Sequence, residues 1–121
     1  VETPQGGIWA NRYLADGRWG IAVLISDGAT SARAPQVVAD PQGNVTAIWL
    51  QQTVDDTVDN PRDLYASRYQ VSGSWGSAVR VSNGASTAID QQLVVDLDGN
   101  VTTAWIQSVG TRTTIWANRY E

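Results

Sequence analysis

The chain repeats itself, and this repeat constrains the fold more than any other feature of the sequence. When the sequence is shifted by 56 positions, residues 9–52 align with residues 65–108 without a gap, and 21 of the 44 aligned pairs are identical. A partial third copy follows, because Ile115–Tyr120 has the same six letters as Ile8–Tyr13. Repeats of this length are typical of folds that place one supersecondary unit after another.

The copies differ mainly in one connection. The first copy has the long, acidic stretch Thr53–Asp63, and the second copy has the shorter Ser108–Thr114 in its place. We divide the chain into repeats at residues 8–63 and 64–114 and a partial third copy at residues 115–121. With 121 residues, the whole chain has the size of one small domain, and we interpret residues 1–121 as one partial unit of a larger repeat architecture.

Each repeat has the pattern of four short strands, which we name A to D. The segments are rich in β-branched and aromatic residues, and turn residues such as those of Asp40–Asn44 separate them. Because no stretch has a sustained 3.6-residue apolar period, we predict no helix. The set that has all four strands is Pro35–Ala39, Val45–Gln51, Leu64–Tyr69 and Trp75–Val81, and the next strand A is Gln91–Val95.

Strand B is apolar on both of its faces. Val45, Ala47 and Trp49 point to one side, and Ile48 and Leu50 point to the other. A sheet with one solvated face would instead alternate apolar and polar residues. A four-stranded sheet that is covered on both faces and recurs along the chain predicts an all-β fold, a β-propeller of four-stranded antiparallel blades. A β-sandwich is the competing arrangement, but it does not need near-identical four-strand units.

The strands follow one another in the order C-D, A-B-C-D, A-B-C, which amounts to about two blades per chain. A closed propeller has roughly four to eight blades, so two blades would leave two apolar faces open. We expect copies of the chain itself to close the ring, as a trimer in preference to a tetramer, or further blades of a longer chain. Joining the end of one copy to the start of the next would complete a blade, with two C strands competing for one slot.

The chain lacks several of the side chains that enzymes most often use in catalysis. The chain has no His, Cys or Lys, and its only two Glu, Glu2 and Glu121, lie at the ends. The commonest general base, His, is therefore missing, and so are a thiolate nucleophile and a His-activated Ser, while no pair of Asp residues recurs in a pocket-like context. We predict that the protein is not an enzyme and has no cofactor or metal site. The formal charge of −4 argues against nucleic-acid binding, and the absence of a long apolar run argues against a membrane span.

Two acidic segments are candidates for cation binding, but each has a simpler structural explanation. Asp96–Asn100 resembles the start of a calcium loop, yet Asp40–Asn44 in the first copy lacks its middle Asp, and a hairpin turn explains both. The loop between strands B and C holds further carboxylates, which we interpret as a solvated acidic loop in preference to a cation site. Those carboxylates belong to Asp55, Asp56, Asp59 and Asp63, with Arg62 among them as a pairing partner.

Tryptophan and arginine carry the remaining functional signal. Trp19 and Trp75 begin strand D in their copies, just after a turn, where an indole either packs between blades or stacks on a sugar ring. An Arg recurs at one position of strand C and would donate hydrogen bonds to sugar hydroxyls. We predict one weak site per blade junction, formed by Trp19 with Arg12 and by Trp75 with Arg68. The candidate ligand-binding residues are Arg12, Trp19, Arg68, Trp75, Trp116 and Arg119.

The C-turn-D stretches Ala10–Gly20 and Ala66–Gly76 resemble blades of secreted bacterial and fungal propellers, including the fucose-binding lectins, and of sialidase-like surface proteins. The resemblance implies an extracellular or cell-surface location and one sugar site between neighbouring blades. It also implies that two-blade chains can assemble into a ring. The lectins place Arg and Glu together on fucose, whereas here only the Arg recurs.

We therefore expect a non-catalytic, lectin-like carbohydrate-binding or adhesion propeller module, with a glycan as the ligand class. The alternative is a purely structural, self-assembling propeller fragment of a larger surface protein. A degenerate glycosidase or sialidase-like domain is a further alternative, although the Asp-box pattern Ser-x-Asp-x-Gly-x-x-Trp of sialidases is absent.

Overall fold

The computed structural model describes residues 6–27, 31–52, 62–82, 87–109 and 111–121. Within these ranges every regular element is a β-strand and there is no helix, which confirms the all-β prediction. The strands are β1 (Trp9–Ala10), β2 (Val23–Leu24), β3 (Ala32–Ala39), β4 (Val45–Gln52), β5 (Arg62–Gln70), β6 (Ser74–Trp75), β7 (Val79–Arg80), β8 (Ala88–Val95), β9 (Val101–Val109) and β10 (Arg112–Tyr120).

The strands form three antiparallel sheets. The N-terminal sheet pairs β1 with β2, and the C-terminal sheet has the order β8-β9-β10. The central sheet has the order β3-β4-β5, and both β6 and β7 pair with the far side of β5. In the letters used above this is C-D, A-B-C-D and A-B-C, the predicted strand order.

Strand D of the central sheet is broken, although the sequence predicted one strand, Trp75–Val81. Trp75 on β6 pairs with Tyr69, and Val79 on β7 pairs with Ala66. Between the two pairs, the chain is held by a hydrogen bond of 2.9 Å from the Gly76 amide to the carbonyl of Arg68. The strand is therefore interrupted in its ladder but keeps its place at the edge of the sheet.

Both A strands begin earlier than predicted and contain a bulge. In β3 the register shifts between Arg33 and Gln36, and in β8 it shifts between Ile89 and Gln92. The shift coincides with a left-handed residue in each strand, Ala34 at a φ of 58° or its counterpart Asp90 at 53°. A bulge inserts an extra residue and bends the strand, so the alternation of side chains between the two faces is interrupted there. The part of the strand before the bulge therefore does not follow the period-two pattern of the part after it.

The turns between strands A and B form as their residues predict. The amide of Gly43 donates to the carbonyl of Asp40 at 3.1 Å, and Gly99 donates to Asp96 at 3.2 Å. The two glycines have φ angles of 94° and 87°, which a residue with a Cβ adopts only with strain. The repeated Asp-x-x-Gly-Asn letters therefore have a structural explanation in the backbone.

The central sheet is covered on both faces, as the apolar pattern of strand B predicts. On one side Ala47 and Trp49 pack against Ile8 and Ile25 of the N-terminal sheet and its extension. On the other side a second cluster joins the central and C-terminal sheets. Its buried members are Ile48, Leu50, Leu64, Ala88 and Trp105. The aligned indoles of the two B strands, Trp49 and Trp105, are both buried.

Among the described residues, nothing covers the outer face of the C-terminal sheet. Ile8, Leu64 and Ile115 occupy the same position of strand C in the three copies. Ile8 and Leu64 are 6% and 0% exposed because a neighbouring sheet covers them, whereas Ile115 is a large exposed apolar residue at 70%. Among the described residues no sheet follows the C-terminal one, so the expected ring is not closed within the chain.

Candidate functional site

The recurring Asp at the start of each A–B turn organises the turn around its carboxylate. Oδ1 of Asp40 accepts hydrogen bonds from the amides of Gln42 and Asn44, at 3.0 and 2.9 Å. Oδ2 accepts a hydrogen bond of 3.0 Å from the Asn44 side-chain amide. Asp96 accepts the matching set from Asp98 and Asn100. The first carboxylate of the suggested calcium loop, that of Asp96, therefore accepts hydrogen bonds from the turn itself.

The recurring Arg of strand C binds this same carboxylate. Arg68 donates from Nη2 to Asp40 Oδ2 at 3.0 Å and from Nη1 to Thr46 Oγ1 at 2.8 Å. Arg119 makes the corresponding hydrogen bonds to Asp96 and Thr102, at 3.1 and 3.3 Å. We call each set of Asp, Thr and Arg a turn clasp, because it ties strand C to the A–B turn. The two turn clasps are Asp40–Thr46–Arg68 and Asp96–Thr102–Arg119.

Hydrogen bonds within each A–B turn lower the pKa of the turn's Asp, and the Arg of the turn clasp adds to this effect. Burial opposes ionisation of Asp40, but the hydrogen bonds from Asn44 and Gln42 and the charge of Arg68 outweigh it, so its pKa lies below the ordinary value. The pKa of Asp96 is lowered first by the hydrogen bonds from Asn100, and also by Asp98 and Arg119. Both carboxylates are therefore held in their charged form.

The same arginine position also links one sheet to the next. The guanidinium of Arg12 lies over the ring of Tyr69, with its Cζ atom 4.4 Å from the ring centroid. The guanidinium of Arg68 lies over Tyr120 at 4.7 Å. In each pair the Arg belongs to strand C, or its direct extension, of one sheet and the Tyr to strand C of the following sheet. These cation–π contacts were not predicted, although the recurrence of Arg-Tyr in all three copies is a signal that pointed to them.

The two predicted turn indoles lie in different surroundings. Trp19 contacts Tyr13 edge-on, with ring centroids 5.5 Å apart, and is 64% exposed. Trp75 contacts Tyr69 at 5.7 Å and packs against the buried cluster that contains Trp49. The structure therefore brings Arg12 to the Tyr69–Trp75 pair of the next repeat, whereas the sequence predicted pairs of Arg and Trp within one repeat.

Trp116 aligns with Trp9 and not with the turn indoles. It lies on β10 opposite Trp105, and its indole Nε1 donates to Thr114 Oγ1 at 2.9 Å. Both of these partners belong to its own sheet. Of the predicted site residues, Arg119 therefore forms a turn clasp, while Trp116 lies on the exposed part of the C-terminal sheet.

A cleft of about 650 Å³ opens between strand D of the central sheet and β10. Its apolar floor includes Ile48 and Val81, and Tyr120 lies at its wall. None of the described residues that line it carries a carboxylate, so the cleft lacks the acid pair that glycoside hydrolysis requires. Its polar lining includes Arg68, Arg80, Asn118, Arg119 and several Ser hydroxyls.

Asp63 was predicted to belong to a solvated acidic loop, and that prediction is wrong. Asp63 lies on β5 with no exposed surface, and Ser82 donates a hydrogen bond of 2.6 Å to its Oδ1. Its Oδ2 has no hydrogen-bond partner among the described residues and lies 4.0 Å from Arg80 Nη1. Burial, and then the charge of Asp63, raise the pKa of Tyr65 above its ordinary value. Residues 55, 56 and 59 of the predicted loop lie outside the described residues.

The N–H group of each buried indole donates a hydrogen bond to a Gln two residues further along the strand, which the sequence did not lead us to predict. Nε1 of Trp49 donates to Gln51 Oε1 at 2.8 Å, and Trp105 donates to Gln107 at 3.1 Å. The signal was present, because Trp-x-Gln recurs in both copies. A buried indole N–H needs an acceptor, so these pairs are part of the core and not of a ligand site.

Comparison with known proteins gives no relative from which a function could be transferred. The chain matches no family model, no curated protein and no solved structure. In the ranges given above, no helix has the length and apolar character needed to cross a membrane. Nor do three acidic side chains meet there in a group able to hold a metal ion.

Proposed function

We propose that the chain is a non-catalytic β-propeller module of an extracellular or cell-surface protein, in which the repeats build a scaffold for adhesion. The observation that supports this proposal is the packing of the central sheet. Each of its two faces is covered by a further sheet that is built from another copy of the repeat. Such packing between neighbours is how the blades of a propeller are stabilised. Association of copies would close the ring, with three copies giving six blades and four copies giving eight.

The roles of the buried carboxylates support a non-catalytic function. Asp40 is neutralised by Arg68 and saturated by the turn, and Asp63 accepts its hydrogen bond from Ser82 in the core. Neither side chain lines the cleft described above. A catalytic carboxylate must instead reach the substrate and hold a pKa suited to proton transfer.

Carbohydrate binding is a second candidate, and the aromatic junction favours it. Tyr69 and Trp75 form an aromatic pair, and Arg12 of the preceding repeat lies against the Tyr ring. Trp75 is half-buried, so part of its indole is accessible to the apolar face of a sugar. Such a site would bind one sugar weakly, and useful affinity would come from several sites on one ring.

A glycan array, probed with the assembled wild-type protein, with Trp75→Ala and with the exposed control Val71→Ala, separates the two candidates. The scaffold function predicts no glycan binding, with Trp75→Ala lowering the free energy of unfolding by about 2 kcal/mol through lost packing. The carbohydrate-binding function predicts a glycan signal that Trp75→Ala removes and Val71→Ala retains. Turnover of aryl glycosides or sialosides that a single Asp→Asn change abolishes would contradict both.

A further inference from the structure

We propose that strand β10 of one copy takes the place of the Ile8–Tyr13 segment of a second copy. The segment Trp19–Ser26 of the second copy then becomes strand D of the first copy's C-terminal sheet. This proposal rests on the self-association that forms part of the proposed function, and it adds the residues and the strand exchange through which the copies join.

The exchange is favoured because the two competing segments are identical in sequence. Ile115–Tyr120 and Ile8–Tyr13 have the same six residues, so every side chain that leaves a position is replaced by the same side chain. An exchange of identical elements between copies is a low-cost route to association, because it needs no new complementarity. The contacts that Ile8–Tyr13 makes within one chain therefore show which contacts β10 would make with a second copy.

Strand D provides specific partners for the start of strand C. The amide of Ile8 donates to Ser26 Oγ at 3.0 Å, and its carbonyl accepts from the Ile25 amide at 2.9 Å. The central sheet repeats this arrangement, since Leu64 donates to Ser82 Oγ at 2.9 Å. Ile115 is the equivalent residue of β10, and its side chain is exposed. In the exchanged assembly Ser26 and Ile25 of the second copy serve Ile115 as they serve Ile8.

The cleft beside β10 has the position of a missing strand D. In the central sheet, Trp75 and Ala78 from the strand D region pack toward the N-terminal sheet, in the cluster around Trp49. The aligned residues of the first copy are Trp19 and Ala22. At the next junction the described chain has no strand D for the C-terminal sheet, and the 650 Å³ cleft lies there. Trp19 and Ala22 of a second copy would fill that space.

The exchange also extends the arginine contacts. Within the described ranges no carboxylate pairs with Arg12, whereas Arg68 and Arg119 each bind the Asp of a turn clasp. Arg119 in the place of Arg12 would lie over Tyr69 of the second copy while keeping its bond to Asp96. At each junction of the assembly, the strand C Arg would then make the two contacts that Arg68 makes. It would bind the Asp of its own turn clasp and lie over a Tyr of the next sheet.

The exchange covers apolar surface that a single chain leaves open. Among the described residues the N-terminal sheet has two strands, C and D, and these cover the Trp49 face of the central sheet. The exchanged sheet brings β8 and β9 of the first copy to the same face. Ala104 and Ile106 of β9 align with Ile48 and Leu50, which are buried in the central sheet because a neighbouring sheet covers them.

Cysteine pairs test the exchange directly, because the chain has no Cys of its own. Leu24 is the cross-strand partner of Trp9, and Trp116 aligns with Trp9, so the pair Leu24→Cys with Trp116→Cys lies in register only between two copies. We expect mild oxidation to give disulfide-linked chains, ending at a closed trimer or tetramer, with about tenfold more cross-linked protein than a collision control. The collision control pairs Leu24→Cys with Leu97→Cys in an exposed turn.

A second pair keeps the test decisive if the loss of Trp116 prevents folding. Val23 pairs with Ala10, and Ala117 aligns with Ala10, so Val23→Cys with Ala117→Cys asks the same question and leaves the indoles intact. Self-association without either cross-link would overturn the exchange but leave the assembly of copies standing. A folded chain that stays monomeric in light scattering would overturn the exchange and the assembly together.

Discussion

The turn clasps of the central and C-terminal sheets make the same contacts in different surroundings. In the central sheet the side chains of Asp40 and Arg68 are 2% and 18% exposed, and in the C-terminal sheet those of Asp96 and Arg119 are 42% and 47% exposed. The bond from the Arg to the Asp has nearly the same length in both clasps, 3.0 and 3.1 Å, whereas the bond from the Arg to the Thr is 2.8 Å in the central sheet and 3.3 Å in the C-terminal sheet. What also differs is whether another sheet covers the clasp. Coverage by a neighbour is therefore the property that separates a core residue from a surface residue in this chain.

The largest effect is expected at the strand C position that the copies share. Leu64→Ala should lower the free energy of unfolding by about 3 kcal/mol, because it removes a fully buried side chain between two sheets. Ile115→Ala should change the unfolding of a single chain by less than about 0.5 kcal/mol, because the side chain is exposed. Chemical denaturation of the two variants at low protein concentration measures the comparison. Equal losses under those conditions would show that Ile115 is already covered within one chain.

An intermediate effect is expected on acidification. A carboxylate whose pKa is lower in the folded state stabilises the fold above its unfolded pKa, near 3.8, and this contribution is lost as the pH falls through the folded value. Because the chain has no His, stability should change little between about pH 5 and 8 and fall below about pH 4. Asp96→Asn should reduce the acid-dependent loss at least as much as Asp40→Asn, because burial is the largest influence on the pKa of Asp40 and opposes its ionisation, whereas hydrogen bonds that favour the charged form dominate at Asp96. Denaturation midpoints measured across this range would contradict the comparison if Asp40→Asn had the larger effect.

The smallest effect is expected at the two bulges. Ala34 has a φ of 58°, and a Cβ in this left-handed region costs roughly 1 kcal/mol, so Ala34→Gly should raise the free energy of unfolding by up to about that amount. Asp90, at 53°, should cost less, because Asp is one of the few residue types other than Gly that adopt the left-handed region, so Asp90→Gly should gain less. Thermal unfolding of both variants would show the order. A loss of stability in Ala34→Gly would mean that its methyl group contributes more by packing than it costs in strain.

The sequence predicted those parts of the fold that depend on local periodicity. The alternation along Val45–Gln51 placed Trp49 and Ile48 on opposite, buried faces, and the glycines of the A–B turns have the positive φ that the turn needs. The bulges were missed because the two aligned positions carry different residues, Ala34 and Asp90, and neither is a glycine that would mark a left-handed conformation in the sequence. The burial of Asp63 was missed because its partner, Ser82, is 19 positions away.

The candidate site could be predicted only as a set of recurring residues. The Arg of strand C recurs because it binds the Asp of its own A–B turn, and the joint recurrence of Asp40 with Arg68 and of Asp96 with Arg119 was a usable signal. The environment of the turn indoles was not predictable in this way. Trp75 is half-buried because it packs against the cluster that contains Trp49, whereas Trp19 belongs to no buried cluster of the described residues and is exposed.

If each open sheet of this chain is completed by a second copy, the particle in solution must have the mass of several chains. A measurement of that mass therefore tests the association of copies most directly. Light scattering of the purified 121-residue chain at micromolar concentration should give three times the 13.1 kDa of one chain, or four times in the eight-bladed alternative. The mass should fall toward that of one chain on dilution, and Ile115→Ala should move this transition to higher concentration. A folded particle of 13.1 kDa that persists at these concentrations would show that no second copy completes the open sheets.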